Sequence, residues 1–424
     1  MEDNVKYVII VGDGMADYPL DSLGGKTPLM VARTPVMDWM VKHGEVGLVK
    51  TVPDGFNPGS EIANLSILGY DPHLCYTGRG PLEAASLGVR LQPDDIAFRC
   101  NLVTLKDKDD QILMDDFAAG HISDEEAKHL ILDLDREFGT EEIRFYPGVS
   151  YRHVMVWNEG AKKHLSLDEI ELTPPHDIIG KGIGPFLPGA GNPVQSEGSQ
   201  EDGAVRILDL MNRSQPYLKD HPINLSRVSR GQRPGNSIWL WGQGRSPQMV
   251  SLKKRFGIDG FVISAVHLLK GMGVCAGLEV VEVPGATGYF DTNYEGKVRY
   301  TLAGLSRKNF GYVHVEAPDE AGHMGDPGLK IEAIEVFDEK IVGAILKGMN
   351  AFPRYKILVL PDHATPLSIR THAPDPVPYL IYSNEKKSRD NSVETFDEVS
   401  ASRSGLFVER GYQLIERFLK LPER

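Results

Sequence analysis

The stretch FGYVHVEAPDEAGH, residues 310–323, sets an apolar, aromatic and β-branched run directly before two metal-capable side chains, Asp319 and His323. Runs of this composition read as buried strands. The same construction recurs in VIIVGDG (residues 8–14, with Asp13) and in ILVLPDHATP (residues 357–366, with Asp362 and His363). It recurs more loosely in RTHAPDPVPYLIY (residues 370–382), where His372 leads into a strand. In open α/β sheets, sites form outside the carboxyl ends of the strands, so residues far apart in sequence can meet there. A single Asp after a strand is ordinarily a helix cap and a single His a satisfied polar group. Their recurrence at strand exits is what points to a metal. Asp319 and His323, four apart, share a face if a helical turn begins there. Asp362 and His363 are adjacent and need an irregular loop to reach one metal or two neighbouring ones. Carboxylate and imidazole donors without thiolate favour Mn or Zn over Ca, with Mg as an alternative.

Further strand signals lie at Val5–Val11, Tyr355–Leu360 and Tyr379–Tyr382, with weaker ones at Ile238–Trp241 and Phe261–Ile263. Between them run helical patterns at Met30–His43, Ala265–Lys270, Leu329–Lys347 and Gly405–Leu419. This alternation predicts α/β layers: a mostly parallel sheet flanked by helices. The middle of the chain reads differently, with strands at Ala97–Thr104, Ile143–Tyr146 and Tyr151–Trp157 and helices at Asp124–Glu137 and Gly203–Asn212. The Gly/Pro-rich stretch GKGIGPFLPGAGNPVQSEGSQ, residues 180–200, reads as a loop. No internal repeat is visible. The expected organisation is one catalytic α/β domain made of residues 1–75 and 236–424, with a smaller α+β domain, residues 76–235, inserted into it.

With 424 residues, the chain is long enough for two or three domains. A formal charge of -13 argues against nucleic acid or an anionic membrane as partner, but local arginines can still receive an anionic metabolite. Three widely spaced cysteines suit a reducing compartment and exclude a disulfide scaffold. The N-terminal apolar run is too short for a signal or a membrane span. A soluble cytoplasmic protein is expected.

The loop DGFNPGSEIANLSILGYDP, residues 54–72, brings Ser60 to the start of a helical pattern. Ser60 reads as the N-cap of a helix Glu61–Leu68 closed by Gly69. A helix N-terminus is also a phosphate site, and a metal lowers a hydroxyl's pKa. With metals at hand, Ser60 becomes a nucleophile able to carry a phosphoryl group.

Together DGMAD, NPGSEIANLSILGYDP, YTGRGPLEA, PDEAGH, LPDHATP and THAPDPVP span nearly the whole chain. In that order they resemble the cofactor-independent (2,3-bisphosphoglycerate-independent) phosphoglycerate mutases of the archaeal type, members of the alkaline phosphatase superfamily. The resemblance implies two divalent metals, most often Mn. One would be held by Asp13, Ser60, Asp362 and His363, the other by Asp319, His323 and His372. It implies that Ser60 takes the phosphate of 3-phosphoglycerate, that the glycerate reorients, and that its other hydroxyl takes the phosphate back. The inserted domain would close over the site to exclude water. No bisphosphoglycerate is needed.

Around this core, Arg79 in TGRGP and Arg152 in SYRHVMV suit an anionic substrate, because guanidinium forks match carboxylate and phosphate. Lys270 in SAVHLLKGMG can neutralise a leaving oxyanion. RVSRGQRPGN offers Arg227, Arg230 and Arg233, and PPHDIIGKG offers His176 and Asp177. One segment departs from the family. Where a stretch resembling D-R-R-A-G-R-I is expected, residues 114–123 read MDDFAAGHIS, with Asp116, Phe117 and His121 in place of basic residues. An aspartate there repels a carboxylate and welcomes an ammonium. This resembles a branch proposed to be ATP-dependent homoserine kinases, although no GxxxxGK[ST] loop is present. A plain phosphatase is disfavoured by the large insertion, and a non-catalytic relative by the intact ligand set. The expected partner is a small phosphorylated metabolite.

Overall fold

Two six-residue strands are buried at every position, Phe310–Val315 and Tyr355–Leu360. Central strands of a parallel sheet covered on both faces have this property, and their sequences read as unbroken apolar runs. The computed structural model describes residues 5–163, 170–189, 203–385 and 393–420. It divides into two compact units, Met1–Tyr76 with Gln248–Arg424, and Thr77–Pro247.

In chain order the strands are β1 (Lys6–Gly12), β2 (Glu45–Val49), β3 (Ile96–Lys108), β4 (Gln111–Asp116), β5 (Ile143–Val149), β6 (Arg152–Trp157), β7 (Ser237–Arg245), β8 (Gly260–Ile263), β9 (Glu279–Val280), β10 (Phe310–Val315), β11 (Tyr355–Leu360), β12 (Val377–Ser383) and β13 (Phe407–Val408). The first unit is built on an eight-stranded sheet in the order β13-β2-β12-β11-β1-β10-β8-β9. Only β12 runs antiparallel to its neighbours. In the centre, Val11 of β1 stands between His314 of β10 and Leu360 of β11. The segments that follow these strands therefore leave the sheet side by side, Asp13 and Asp362 on loops and Asp319 in the first turn of helix Ala317–Met324. One core cluster joins the strands, through Val8, Ile10, Val313, Val315, Ile357 and Val359, to helical residues such as Met37, Met40, Phe337 and Ile341.

The second unit is a five-stranded, largely antiparallel sheet in which β3 pairs with β4, β6 and β7. Helices Asp124–Phe138 and Gly203–Lys219 pack on it through Leu130, Ile131, Leu134, Ile207 and Met211. Because β7 completes this sheet, residues 236–247 belong with the second unit rather than the first.

Other differences have local causes. The Met30–His43 pattern is two helices, Pro28–Val31 and Pro35–His43, because a proline at 35 pushes Thr34 out of helical geometry. Gly405–Leu419 is not one helix. Gly405 takes φ +70, Phe407 and Val408 add an edge strand beside β2, and only Leu414–Leu419 is α-helical. The β2 and β4 strands escaped the sequence reading. Residues 190–200 of the Gly/Pro-rich stretch lie outside the described residues.

Candidate metal centre and nucleophile

Helix Ser60–Ile67 is capped by Gly59, so Ser60 is its first helical residue rather than its N-cap. Its hydroxyl is therefore not spent on the helix. Ser60 Oγ lies 3.2 Å from His363 Nε2. Thr365 Oγ1 donates its single proton to Asp319 Oδ1, so at 3.3 Å from His363 Nδ1 it can only accept. His363 is thereby held as the Nδ1–H tautomer, with the Nε2 lone pair turned toward Ser60, toward Asp13 Oδ1 at 3.5 Å and toward Asp362 Oδ2 at 3.6 Å. Burial keeps His363 below its ordinary pKa and neutral, as a metal ligand must be.

The neighbouring cluster obeys the same logic. His323 Nδ1 faces the Arg370 carbonyl at 3.0 Å, which fixes that nitrogen as the donor. Its Nε2 then points a lone pair at Asp319 Oδ2, 3.1 Å away, and at His372 Nε2, also 3.1 Å away. A lone pair facing a carboxylate oxygen at this distance needs a cation between the two atoms. Without a metal, a proton does this, and hydrogen bonding to Asp319 lifts His323 to about 9.

Asp13, Asp319 and Asp362 are all buried. Asp13 Oδ1 has no hydrogen-bond donor, and His314 Nε2, 3.0 Å from Asp13 Oδ2, is too poorly aligned to supply one. Burial first, and then the charges of Asp362 and Asp319, push Asp13 well above the usual carboxylate range. Burial acts the same way on Asp319, but hydrogen bonds from His323 and His372 outweigh it. Three buried acids, one of them undonated, fit divalent cations. Asp319, His363 and His372 present ligand atoms within 4.8 Å of one another, and so do Asp13, Asp362 and His363. The ligand residues inferred from sequence thus converge, with His363 standing between the two groups. Gly14 (φ +62) is required here, since a Cβ would sit 2.5 Å from Asp319 Oδ1.

Lys270 is nearly buried and its Nζ lies 2.8 Å from both carboxylate oxygens of Glu282. In the second unit, Arg79 opens helix Arg79–Ser86, with its guanidinium 5.9 Å from the Trp241 ring. Arg152 lies 5.5 Å from the Tyr151 ring and His121 6.0 Å from the same ring. Sequence reasoning missed Arg99, which lies inside a strand pattern. It is buried, stacked 4.3 Å from Trp241, and 3.1 Å from Glu83. Burial, offset in part by Glu83 and aided by the charges of Arg79 and Arg152, lowers its pKa. Arg230 is bound to Glu126 at 2.7 Å. Arg227 binds Glu126 and the Ala119 and Arg233 carbonyls. Arg233 spans Asp115 at 2.8 Å and Asp116 at 3.5 Å, so Asp116 is a paired acid.

Residues 41–224 match the family model described as 2,3-bisphosphoglycerate-independent phosphoglycerate mutase. A protein of that name from Methanosarcina barkeri is 51% identical over 98% of this chain and 100% of its own length. A probable one from Geobacter sulfurreducens is 50% identical over 98% and 100%. Among solved structures, the cofactor-independent phosphoglycerate mutase of Thermoplasma acidophilum superposes with a TM-score of 0.63 at 27% identity, covering 98% of this chain and 99% of that one. A Pyrococcus horikoshii protein superposes with a TM-score of 0.79 at 28% identity, covering 98% and 97%. Identity at this level over the full length, with a helix that begins at Ser60 set beside converging acids and imidazoles, places the chain in the family of 2,3-bisphosphoglycerate-independent phosphoglycerate mutases.

Proposed function

We propose that the chain interconverts 3-phosphoglycerate and 2-phosphoglycerate through a phosphoserine at Ser60, without bisphosphoglycerate. The observation that carries this reading is the Ser60 hydroxyl, not used to cap its helix and 3.2 Å from His363 Nε2, among convergent carboxylate and imidazole donors. Asp13, Ser60, Asp362 and His363 would hold one divalent ion and Asp319, His323 and His372 the other. When bound, such ions withdraw charge from phosphoryl oxygens and acidify the serine hydroxyl. Mn is the metal of this reading, with Zn and Mg as alternatives.

Ser60 Oγ gives up its proton and bonds to phosphorus as the bond to the C3 oxygen of the glycerate breaks, and that oxygen takes up a proton. The glycerate turns, its C2 hydroxyl gives up a proton and attacks the phosphoserine, and Ser60 leaves with its oxygen protonated again. Two in-line displacements retain configuration at phosphorus. The helix N-terminus, at which Ser60 stands, favours the phosphate's negative charge. Lys270 is assigned the charge of the departing oxygen. To the second unit, residues 77–247, we assign recognition of the glycerate carboxylate, through Arg79, Arg99 and Arg152, with His121 against the same Tyr151 ring as Arg152. Asp116 and Arg230, held by Arg233 and Glu126, maintain that unit's loops in this reading.

No observation favours the homoserine kinase alternative. The acids that suggested an ammonium site are already paired with Arg233, and the relatives described above are named mutases. The substrate is thus a small phosphorylated metabolite. Free cysteines support a reducing, cytoplasmic setting, and no helix among the described residues is long and apolar enough to cross a membrane.

Phosphorus NMR of the purified protein with Mn2+ and 3-phosphoglycerate, lacking ATP and bisphosphoglycerate, tests the reading. The 2-phosphoglycerate signal should grow to equilibrium, vanish on chelation and return with Mn2+. A metal-loaded sample that leaves 3-phosphoglycerate untouched refutes it.

A further inference from the structure

One buried amide ties the Ser60 helix to the strands that carry the acids. Asn64 lies one turn after Ser60 and is completely buried. Its Nδ2 donates to the Ser60 carbonyl at 2.9 Å and to Asp362 Oδ2 at 2.7 Å. Both partners are acceptors only, so the amide has a single workable orientation, with its oxygen turned the opposite way. There the hydroxyl of Tyr312, buried on β10, donates to Asn64 Oδ1. The other Asp362 oxygen receives the Gly14 and His363 amides at 3.2 and 2.9 Å. The carboxylate is therefore held at both oxygens, and its plane is defined from two sides.

Helix stability does not ask for this arrangement. An Asn that bonds back to its own helix competes with the backbone ladder, and a buried amide costs free energy unless every group is satisfied. The neighbours Ile62, Ala63, Leu65 and Ile67 are buried and apolar, so leucine would suit a purely structural role at position 64. What the amide adds is a rigid link from the nucleophile's first turn to Asp362 after β11 and, through Tyr312, to β10, which leads to Asp319.

We propose that Asn64, oriented by Tyr312, is a positioning residue that fixes Ser60 and the Asp362 carboxylate relative to one another before substrate arrives. The inference rests on the reading of Ser60 as nucleophile and Asp362 as ligand given above. Neither Asn64 nor Tyr312 is assigned a contact with substrate. Their loss should act on metal affinity and on the chemical step, and leave substrate binding alone.

Tyr312→Phe removes one oxygen and leaves the ring in place; Asn64→Leu removes the link at similar volume. Calorimetric titration of the apo-proteins with Mn2+ alone should show affinity for the Asp362 site reduced about 10-fold or more, as for other partners of ligating carboxylates. Turnover should fall about 10-fold in kcat with KM for 3-phosphoglycerate unchanged. Melting of the apo-proteins separates this from loss of fold, and if Asn64→Leu does not fold, Tyr312→Phe carries the test. Variants that melt lower yet bind Mn2+ and turn over like the unaltered protein would show that the network merely satisfies buried polar groups. That result overturns the inference and leaves the functional reading standing. An unaltered protein that binds no Mn2+ in the same titration would overturn both.

Discussion

Removing the Lys330 ammonium should expose how much of the site's framework hangs on one buried ion pair. Lys330 and Asp17 have fully buried side chains, with Nζ 2.7 Å from Asp17 Oδ2. Nζ also donates to the Thr365 carbonyl at 2.8 Å and the Ala16 carbonyl at 3.3 Å. It thereby joins the loop that follows Asp13 to the loop that follows Asp362 and His363. Lys330→Met leaves the Asp17 carboxylate buried without its cation, a defect that costs about 3–5 kcal/mol. Asp17 keeps the Leu367 amide at 3.2 Å and the Tyr18 amide at 2.8 Å. The lower end, about 3 kcal/mol, is therefore expected, or roughly a 6–12 °C fall in melting temperature for a unit of this size. Adding Asp17→Asn removes the stranded charge and should recover most of the loss, with a coupling of at least about 2 kcal/mol in the double-mutant cycle. Denaturant unfolding of the four metal-free proteins measures it. If the double variant is as unstable as the two single losses added together, the pair is not the coupled element described here.

Ser60→Ala should abolish phosphoryl transfer in the phosphorus NMR assay and leave the melting temperature unchanged, because the serine side chain caps no helix; retained turnover would remove Ser60 from the reaction. Arg99→Lys keeps the charge but loses the planar stack on Trp241, and should raise KM for 3-phosphoglycerate about 10-fold with little change in kcat. An unchanged KM would count against the arginine cluster as the carboxylate site. Asp338 accepts the Val36 and Met37 amides at the start of helix Pro35–His43, and burial raises its pKa to about 6. Because the folded value lies above the ordinary carboxylate value, its contribution is greatest below about pH 4 and declines as pH rises through 6. Urea midpoints of the unaltered protein should fall relative to those of Asp338→Asn across that window, and parallel curves would contradict the assignment.

The sequence by itself determined the sheet's centre and marked the acids and imidazoles at its exits. Parallel strands buried on both faces must be apolar throughout, so Phe310–Val315 and Tyr355–Leu360 were legible to the residue. An acid or imidazole just past such a strand breaks the pattern and stands out. Ser60 was visible as the start of a helix, but its position inside the first turn depends on the backbone of Gly59, which no side-chain pattern records. Partnerships between distant residues were hidden, because a polar residue within an apolar stretch does not name its partner. Asn64, Tyr312 and Lys330 belong to this class, as does Arg99 within β3. The same holds for Asp116, which looked like an ammonium site until Arg233 was found beside it. Edge strands were lost for a related reason. Phe407–Val408 is too short to carry a pattern, and it becomes a strand only because β2 offers it unpaired backbone groups. Local patterns follow from burial and chain geometry. Which charges cancel, and which amide holds which carboxylate, follow from close approach in space, and only the tertiary structure decides that.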